Sequence, residues 1–279
     1  MRILGLVLVA SLSGCSISSD EPSGDEAPPK VAVAAFSFDG ADTSGKAANE
    51  AHGKRLSHVL GCRGCHTPTL EGENFGTFEP PFDGIYASNL TRIIPTMTDA
   101  QLERLLRDGT HPTRDKMWIM PSSVFQRLSS ADMAALIAHL RTVKPSGKAT
   151  PPPAFTDTTR GMIAAGKLRP ESEVVKQFRA SEPVDLGPQY AFGRYVASST
   201  CAECHGAALE GVEGLGPDLN VASVYSEDAL ARLLTTGEGL PGRKLGLMAL
   251  VGKEHFSYLT PRERTAVIAY VKARADRSQ

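Results

Sequence analysis

Cys62-Arg63-Gly64-Cys65-His66 places two thiols three positions apart on one turn of chain and follows them at once with an imidazole. That order is the signature of covalent attachment of a c-type haem. Each thiol can add across one vinyl group to form a thioether, and His66 can then reach the iron from the proximal side. The pattern returns as Cys201-Ala202-Glu203-Cys204-His205. Two copies argue against a redox disulfide, which requires no following His, and against half of a zinc site, which needs four ligands in one place.

The chain has 279 residues, enough for two ordinary domains, and the repeat divides it into halves of modest size. A domain that small gains much of its apolar interior from a large flat cofactor. With 41% hydrophobic and 22% charged residues the composition is that of a globular protein. A formal net charge of -1 and the lack of a sustained basic run exclude a nucleic-acid partner. The five cysteines are Cys15, Cys62, Cys65, Cys201 and Cys204, so the two motifs leave one over and no pair for a structural disulfide.

That remaining cysteine closes the amino-terminal stretch. Arg2 precedes the apolar run Ile3 to Ala10, which reads as a secretory signal over residues 1–14. The run ends in Leu12-Ser13-Gly14-Cys15, which resembles the lipobox of bacterial lipoproteins. The resemblance implies cleavage before Cys15, lipidation of its thiol and anchoring to a membrane on the periplasmic side of the cell envelope, stable because more than one acyl chain is attached. Ser16, in place of the Asp that retains such proteins at the inner membrane, points to the outer membrane. Residues 15–44, rich in small and polar types, are expected to form a flexible tether.

Helical signals then recur in both halves. Lys46 to Leu60 is expected to be helical and to run into Cys62, carrying His52 and His58 on a solvated surface. Thr98 and Gln101 make a capping box before the stripe Leu102, Leu105 and Leu106, and Gly109 ends it; Ser226, the stripe Leu230, Leu233 and Leu234, and Gly237 repeat the scheme. Ser129 starts a helix bearing Met133, Leu136, Ile137 and Leu140, and Thr260 with Pro261 and Glu263 starts one bearing Val267, Ile268 and Val271. Leu70-Glu71-Gly72 and Leu209-Glu210-Gly211 stand at the same offset after the two motifs. The first half carries extra Gly, Pro and aromatic residues between Phe75 and Tyr86, expected to loop over one haem edge, with a substrate loop as the alternative. The domains are therefore placed at 45–145 and 187–279, joined by an interdomain strap over 146–186 in which Ser172 to Arg179 is a candidate helix packed on a haem domain.

The sixth ligand of each iron separates a carrier from a catalyst. The first half offers Met97, Met117, Met120, Met133, His111 and His139. Register selects among them: Met120 stands eleven residues after Gly109, and Met248 stands eleven residues after Gly237. Met133 lies on an apolar helical stripe, where Met is core filler.

From about Lys46 to Arg274 the chain resembles tandem class I cytochrome c domains, and among them the cytochrome subunits of membrane-bound bacterial alcohol and gluconate dehydrogenases. The carrying residues are Tyr86 to Thr91, Leu105 to Gly109 and Ile119-Met120-Pro121, then Gly216-Pro217-Asp218-Leu219 and Leu245 to Met248. Those subunits usually have three haem motifs; here there are two. The resemblance implies an all-α fold of two small helical domains, each around one covalently bound haem c. It also implies a backbone carbonyl orienting the proximal imidazole: Pro217 for His205, and the Ser88-Asn89-Leu90 segment, which lacks the Pro, for His66. His139 and Tyr270 stand at equivalent positions and are expected to pack as rings.

The function expected is electron transfer by a dihaem carrier, without substrate chemistry of its own, between redox protein partners such as a dehydrogenase or respiratory complex and a terminal acceptor. Its site residues are Cys62, Cys65, His66 and Met120 for one haem and Cys201, Cys204, His205 and Met248 for the other. The alternative is a dihaem enzyme, peroxidase-like or acting on sulfur compounds, in which one iron has a displaceable sixth ligand. Material matured in a competent periplasm should carry two haems that survive denaturing electrophoresis. A mass corresponding to one haem per chain would contradict the reading of the repeat.

Overall fold

The halves are built on a similar order of helices, and local capping chemistry sets the starts after Asn89, Thr98, Ser129, Ser226 and Thr260. The computed structural model describes residues 36–41, 44–77 and 79–277. The first half holds α1 (Lys46–Val59), α2 (Cys62–Cys65), α3 (Leu90–Ile93), α4 (Asp99–Asp108), α5 (Ser122–Phe125) and α6 (Ser130–Arg141). The connection holds α7 (Asp157–Ala164) and α8 (Glu171–Arg179); the second half holds α9 (Ala191–Thr200), α10 (Ala202–His205), α11 (Glu227–Thr236), α12 (Leu247–Glu254) and α13 (Pro261–Asp276). Among the described residues the only extended pairing is the isolated bridges Asn74 to Tyr86 and Val212 to Gly216. The signal over 1–14 and the lipidation of Cys15 lie outside the described residues.

Capping follows the sequence. Thr98 and Gln101 close a reciprocal box at α4, Thr260 and Glu263 close another at α13, and Ser129 and Ser226 cap α6 and α11. Gly109 and Gly237 end α4 and α11 in the left-handed conformation, where a Cβ would be strained. The leucine stripes of both helices are buried.

Each half is locked by one helix crossing at a glycine. A Cβ on Gly53 of α1 would lie 1.9 Å from the Ala135 carbonyl oxygen of α6, and one on Gly193 of α9 would lie 2.1 Å from the Ala266 carbonyl oxygen of α13. Only a residue without a side chain permits such contact. The rings four residues further on, His139 and Tyr270, pack against the same two glycines. Tyr270 donates to the Val184 carbonyl at 2.9 Å, and His139 accepts from Arg63 at 3.1 Å.

The halves share one continuous apolar cluster, which includes Leu56, Leu136 and Phe125 from the first and Tyr195, Ala202 and Tyr270 from the second. Two fully buried carboxylates hold the seam. Asp132 accepts from His52 Nε2 at 2.7 Å, the Tyr195 hydroxyl at 2.7 Å, Ser129 Oγ at 2.9 Å and the Phe38 amide at 2.9 Å. Glu263 accepts from both terminal nitrogens of Arg55, at 2.8 and 2.9 Å, and from the amides of Asp39 and Thr260, each at 2.8 Å. Buried carboxylates are tolerated when their lone pairs are met in this way.

Two expectations need correction. Residues 36–41 are not part of a free tether: Phe38 is 1% exposed against Tyr195, and its neighbour's amide reaches Glu263, so this segment staples the halves together. Phe38 supplies the burial that holds it, on the order of 1.5–3 kcal/mol for a fully buried ring. His52 is buried on Asp132 instead of solvated, and His58 stacks on Tyr258 at 4.0 Å. The connection over 146–186 packs on the first half through its expected helix and reaches the second at Val184, whose carbonyl accepts from Tyr270. Val175 and Phe178 are buried, Arg127 donates to the carbonyls of Phe178 and Ser181, and the Ala154 amide donates to the Gly84 carbonyl. Its helix over Ser172 to Arg179 is present as α8, and α7 is an addition.

Asp132→Ala should lower stability by about 3–5 kcal/mol, because it strands a buried imidazole and hydroxyl from opposite halves. Chemical denaturation measures it, and a loss below about 1 kcal/mol, the range of an exposed pair, would contradict the role given to the carboxylate.

Candidate haem-attachment sites

The same hydrogen-bond frame is built after each motif, and it begins with the Leu-Glu-Gly offset. Leu70 and Leu209 take positive φ, 63° and 67°, which turns the chain back under the histidine. The Gly72 amide then donates to the His66 carbonyl at 2.9 Å, and the Gly211 amide to the His205 carbonyl at 2.8 Å. Next, the amides of Leu90 and Leu219 donate to the carbonyls of Leu70 and Leu209, at 2.9 and 3.0 Å. This second bond draws in the segment whose carbonyl faces the imidazole. His66 Nδ1 donates to the Ser88 carbonyl at 2.7 Å, and His205 Nδ1 donates to the Pro217 carbonyl at 2.6 Å.

With Nδ1 engaged, each ring presents Nε2 as its free nitrogen, the tautomer a metal-binding imidazole needs. Both histidines are buried, and burial holds their pKa below the ordinary value, so the neutral, ligating form prevails. Ser88 therefore does in the first half what Pro217 does in the second, without the proline. The neighbouring Asn89 fixes that segment: it caps α3 through the Thr91 amide and donates to the carbonyls of Ser146 and Lys148.

The thiols are also unlike those of a redox pair. Burial pushes Cys62, Cys65 and Cys204 up to about 12 and Cys201 to about 11. A redox C-x-x-C does the opposite, stabilising a thiolate. None of the four is in a disulfide, and among the described residues no group of three or more His, Cys, Asp or Glu converges as a zinc site would require. The Glu203 carboxylate contributes to the rise at Cys62, Cys65 and Cys204, so one acid lies within electrostatic reach of cysteines from both motifs. The motifs also touch the opposite halves: a Cβ on Gly64 would lie 2.8 Å from His255, whose Nδ1 donates to the His58 carbonyl. The residues present thus suit covalently held haem in both halves.

Met120 and Met248 are both partly buried against the shared cluster, but their backbones differ. Met248 sits in the first turn of α12, which packs on α11 so closely that a Cβ on Gly252 would lie 2.1 Å from the Leu233 carbonyl oxygen. Met120 lies in a loop before α5, directly after Ile119, whose φ of 61° is left-handed. For a β-branched residue that conformation is strained. Among the other candidates, Met97 and Met133 are buried in the core, and His111 Nε2 is buried without a partner while Nδ1 accepts from Thr113.

One residue near the first site escapes the sequence pattern. Glu171, 5% exposed at the start of α8, accepts from the Ser123 amide at 2.7 Å and donates its own amide to the Met117 carbonyl at 2.9 Å. A single acid after Pro170 in an unrepeated connection gives no periodicity to find it by. Burial pushes its pKa up to about 7.

The family model for cytochrome c matches the chain twice, over residues 50–144 and 191–275, together more than half of its length. The chain belongs to the cytochrome c family as a tandem, all-α member, and is a haem c electron-transfer protein. No curated protein matches it.

The raised pKa of Glu171 sets the sign of a pH dependence. Between the ordinary carboxylate range and about 7 the folded chain holds a proton that the unfolded chain has released, so stability falls as pH rises through that window. Glu171→Gln, which cannot ionise, should gain stability relative to the parent across the window and show a constant difference above it. Thermal melts at stepped pH test this; a difference independent of pH would contradict it.

Proposed function

We propose that the chain is a two-haem electron carrier of the bacterial cell envelope, passing electrons between a dehydrogenase or respiratory complex and a terminal acceptor. Support comes chiefly from the duplicated frame in which a carbonyl engages Nδ1 of each proximal histidine and leaves Nε2 for iron. Cys62, Cys65 and His66 would hold one haem, with Met120 as sixth ligand; Cys201, Cys204 and His205 would hold the other, with Met248. When bound, haem supplies one-electron exchange. The chain contributes the imidazole orientation, the soft thioether that raises the potential relative to a second imidazole, and the buried walls that keep water from the site. Two matched methionines weigh against a displaceable sixth ligand, and so against a peroxidase-like or sulfur-oxidising enzyme. Cys15 would carry the lipid that anchors the protein on the periplasmic side, in the outer membrane by the reading of Ser16, and a subunit role beside an alcohol or gluconate dehydrogenase agrees with the residues shared with those cytochromes.

Met120→Ala should open only the haem on Cys62 and Cys65 and lower its potential, and Met248→Ala should do the same to the other. The reduced parent should bind carbon monoxide poorly. Rapid binding at one haem of the parent, with turnover of peroxide, would favour the enzyme. In the same strain Cys15→Ser should move the protein from the membrane to the soluble periplasmic fraction.

A further inference from the structure

We propose that Glu171, a residue of the connecting segment and of neither haem half, is a positioning residue that holds Met120 in place by pinning its loop at both ends. The inference rests on the reading of Met120 as an axial ligand.

The loop runs from Met117 to the start of α5, and Glu171 is bonded at each limit: its backbone N–H to the Met117 carbonyl and its side-chain Oε1 to the N–H of Ser123 in the first turn of α5. Between these points lies Ile119 in a left-handed conformation. Such a residue relaxes unless its surroundings determine it, and the two bonds from Glu171 oppose that relaxation. The clamp is itself fastened. A Cβ on Gly109 would lie 2.9 Å from Glu171 Cγ, so the acid's stem fills the space beside the end of α4. Further along α8, Arg179 pairs with Asp108 and donates to Gln126 Oε1 at 2.8 Å, and Gln126 Nε2 donates to the Val175 carbonyl at 3.3 Å.

The second half needs no such device. Met248 belongs to a helix, and its N–H is bonded to the Leu245 carbonyl at 3.1 Å within its own segment. Each chain therefore contains its own reference: loss of the clamp should affect one haem and spare the other.

The experiment uses the full haem-loaded chain with Glu171→Ala, Glu171→Gln and Glu171→Asp, and Met120→Ala beside them. Three signals are read: the methionine-to-iron charge-transfer absorption of the oxidised protein, carbon monoxide uptake by the reduced protein, and the two reduction potentials. Glu171→Ala, which keeps the backbone bond to Met117 and frees the Ser123 end, should lose half of the absorption, take up carbon monoxide at one haem per chain and lower one potential only. Glu171→Gln, whose amide oxygen can still accept from the Ser123 N–H, should retain the parent signals. Glu171→Asp, one methylene short, should shift in the direction of Ala to a smaller extent and covers the case in which Ala does not fold. Parent-like signals in Glu171→Ala or, where Ala does not fold, in Glu171→Asp, or equal loss in Ala and Gln, would overturn the proposal. If Met120→Ala itself leaves the spectrum unchanged, the ligand assignment fails first; if it removes half the absorption while neither Glu171→Ala nor Glu171→Asp does, only the clamp fails.

Discussion

The hydrogen bond from Nδ1 of each proximal histidine to a backbone carbonyl is the constraint on which both sites depend. A histidine next to two anchored cysteines could still rotate or present the wrong nitrogen. The bonds to Ser88 and Pro217 remove that freedom, at 2.7 and 2.6 Å. Neither carbonyl is positioned by its own residue. Each is drawn in by the leucine at positive φ, by the glycine that closes back on the histidine, and by the leucine amide that bonds across. Leu-Glu-Gly is thus a structural part of the metal site although none of its side chains would touch iron.

Around that shared frame the halves diverge in how the opposite face is built. In the second, the methionine is carried by a helix packed directly on its neighbour. In the first, it lies in a strained loop tied to α4 through Ser122 and Leu105, and the segment between the halves folds over it and adds a further restraint. The seam adds a further dependence. Asp132 and Glu263 each collect donors from both halves and from residues 38 and 39, so the two sites are held in one body and not as beads on a strap.

Local chemistry is what the sequence shows best. Caps such as Thr98 with Gln101, and stops such as Gly109, are decided within a few residues, so the helices they bound are legible directly. The carbonyl partners of the proximal histidines are legible through the resemblance to cytochrome c domains. The seam is not, because His52 reads as an ordinary helix-surface residue until Asp132, eighty positions away, is placed beside it. Phe36 and Phe38 are hidden for a similar reason: the composition around them is that of a tether. The crossing glycines evade the repeat because Gly53 stands nine residues before its motif and Gly193 eight, the difference being the extra turn at Gly61.

The most direct measurement is hydrogen exchange at the imidazole Nδ1–H groups of the reduced, diamagnetic protein, followed by magnetic resonance. Two slowly exchanging protons, assigned to His66 and His205, are expected if carbonyls hold both rings in a buried frame. Free exchange at either histidine, or protonation on Nε2 in its place, would contradict it.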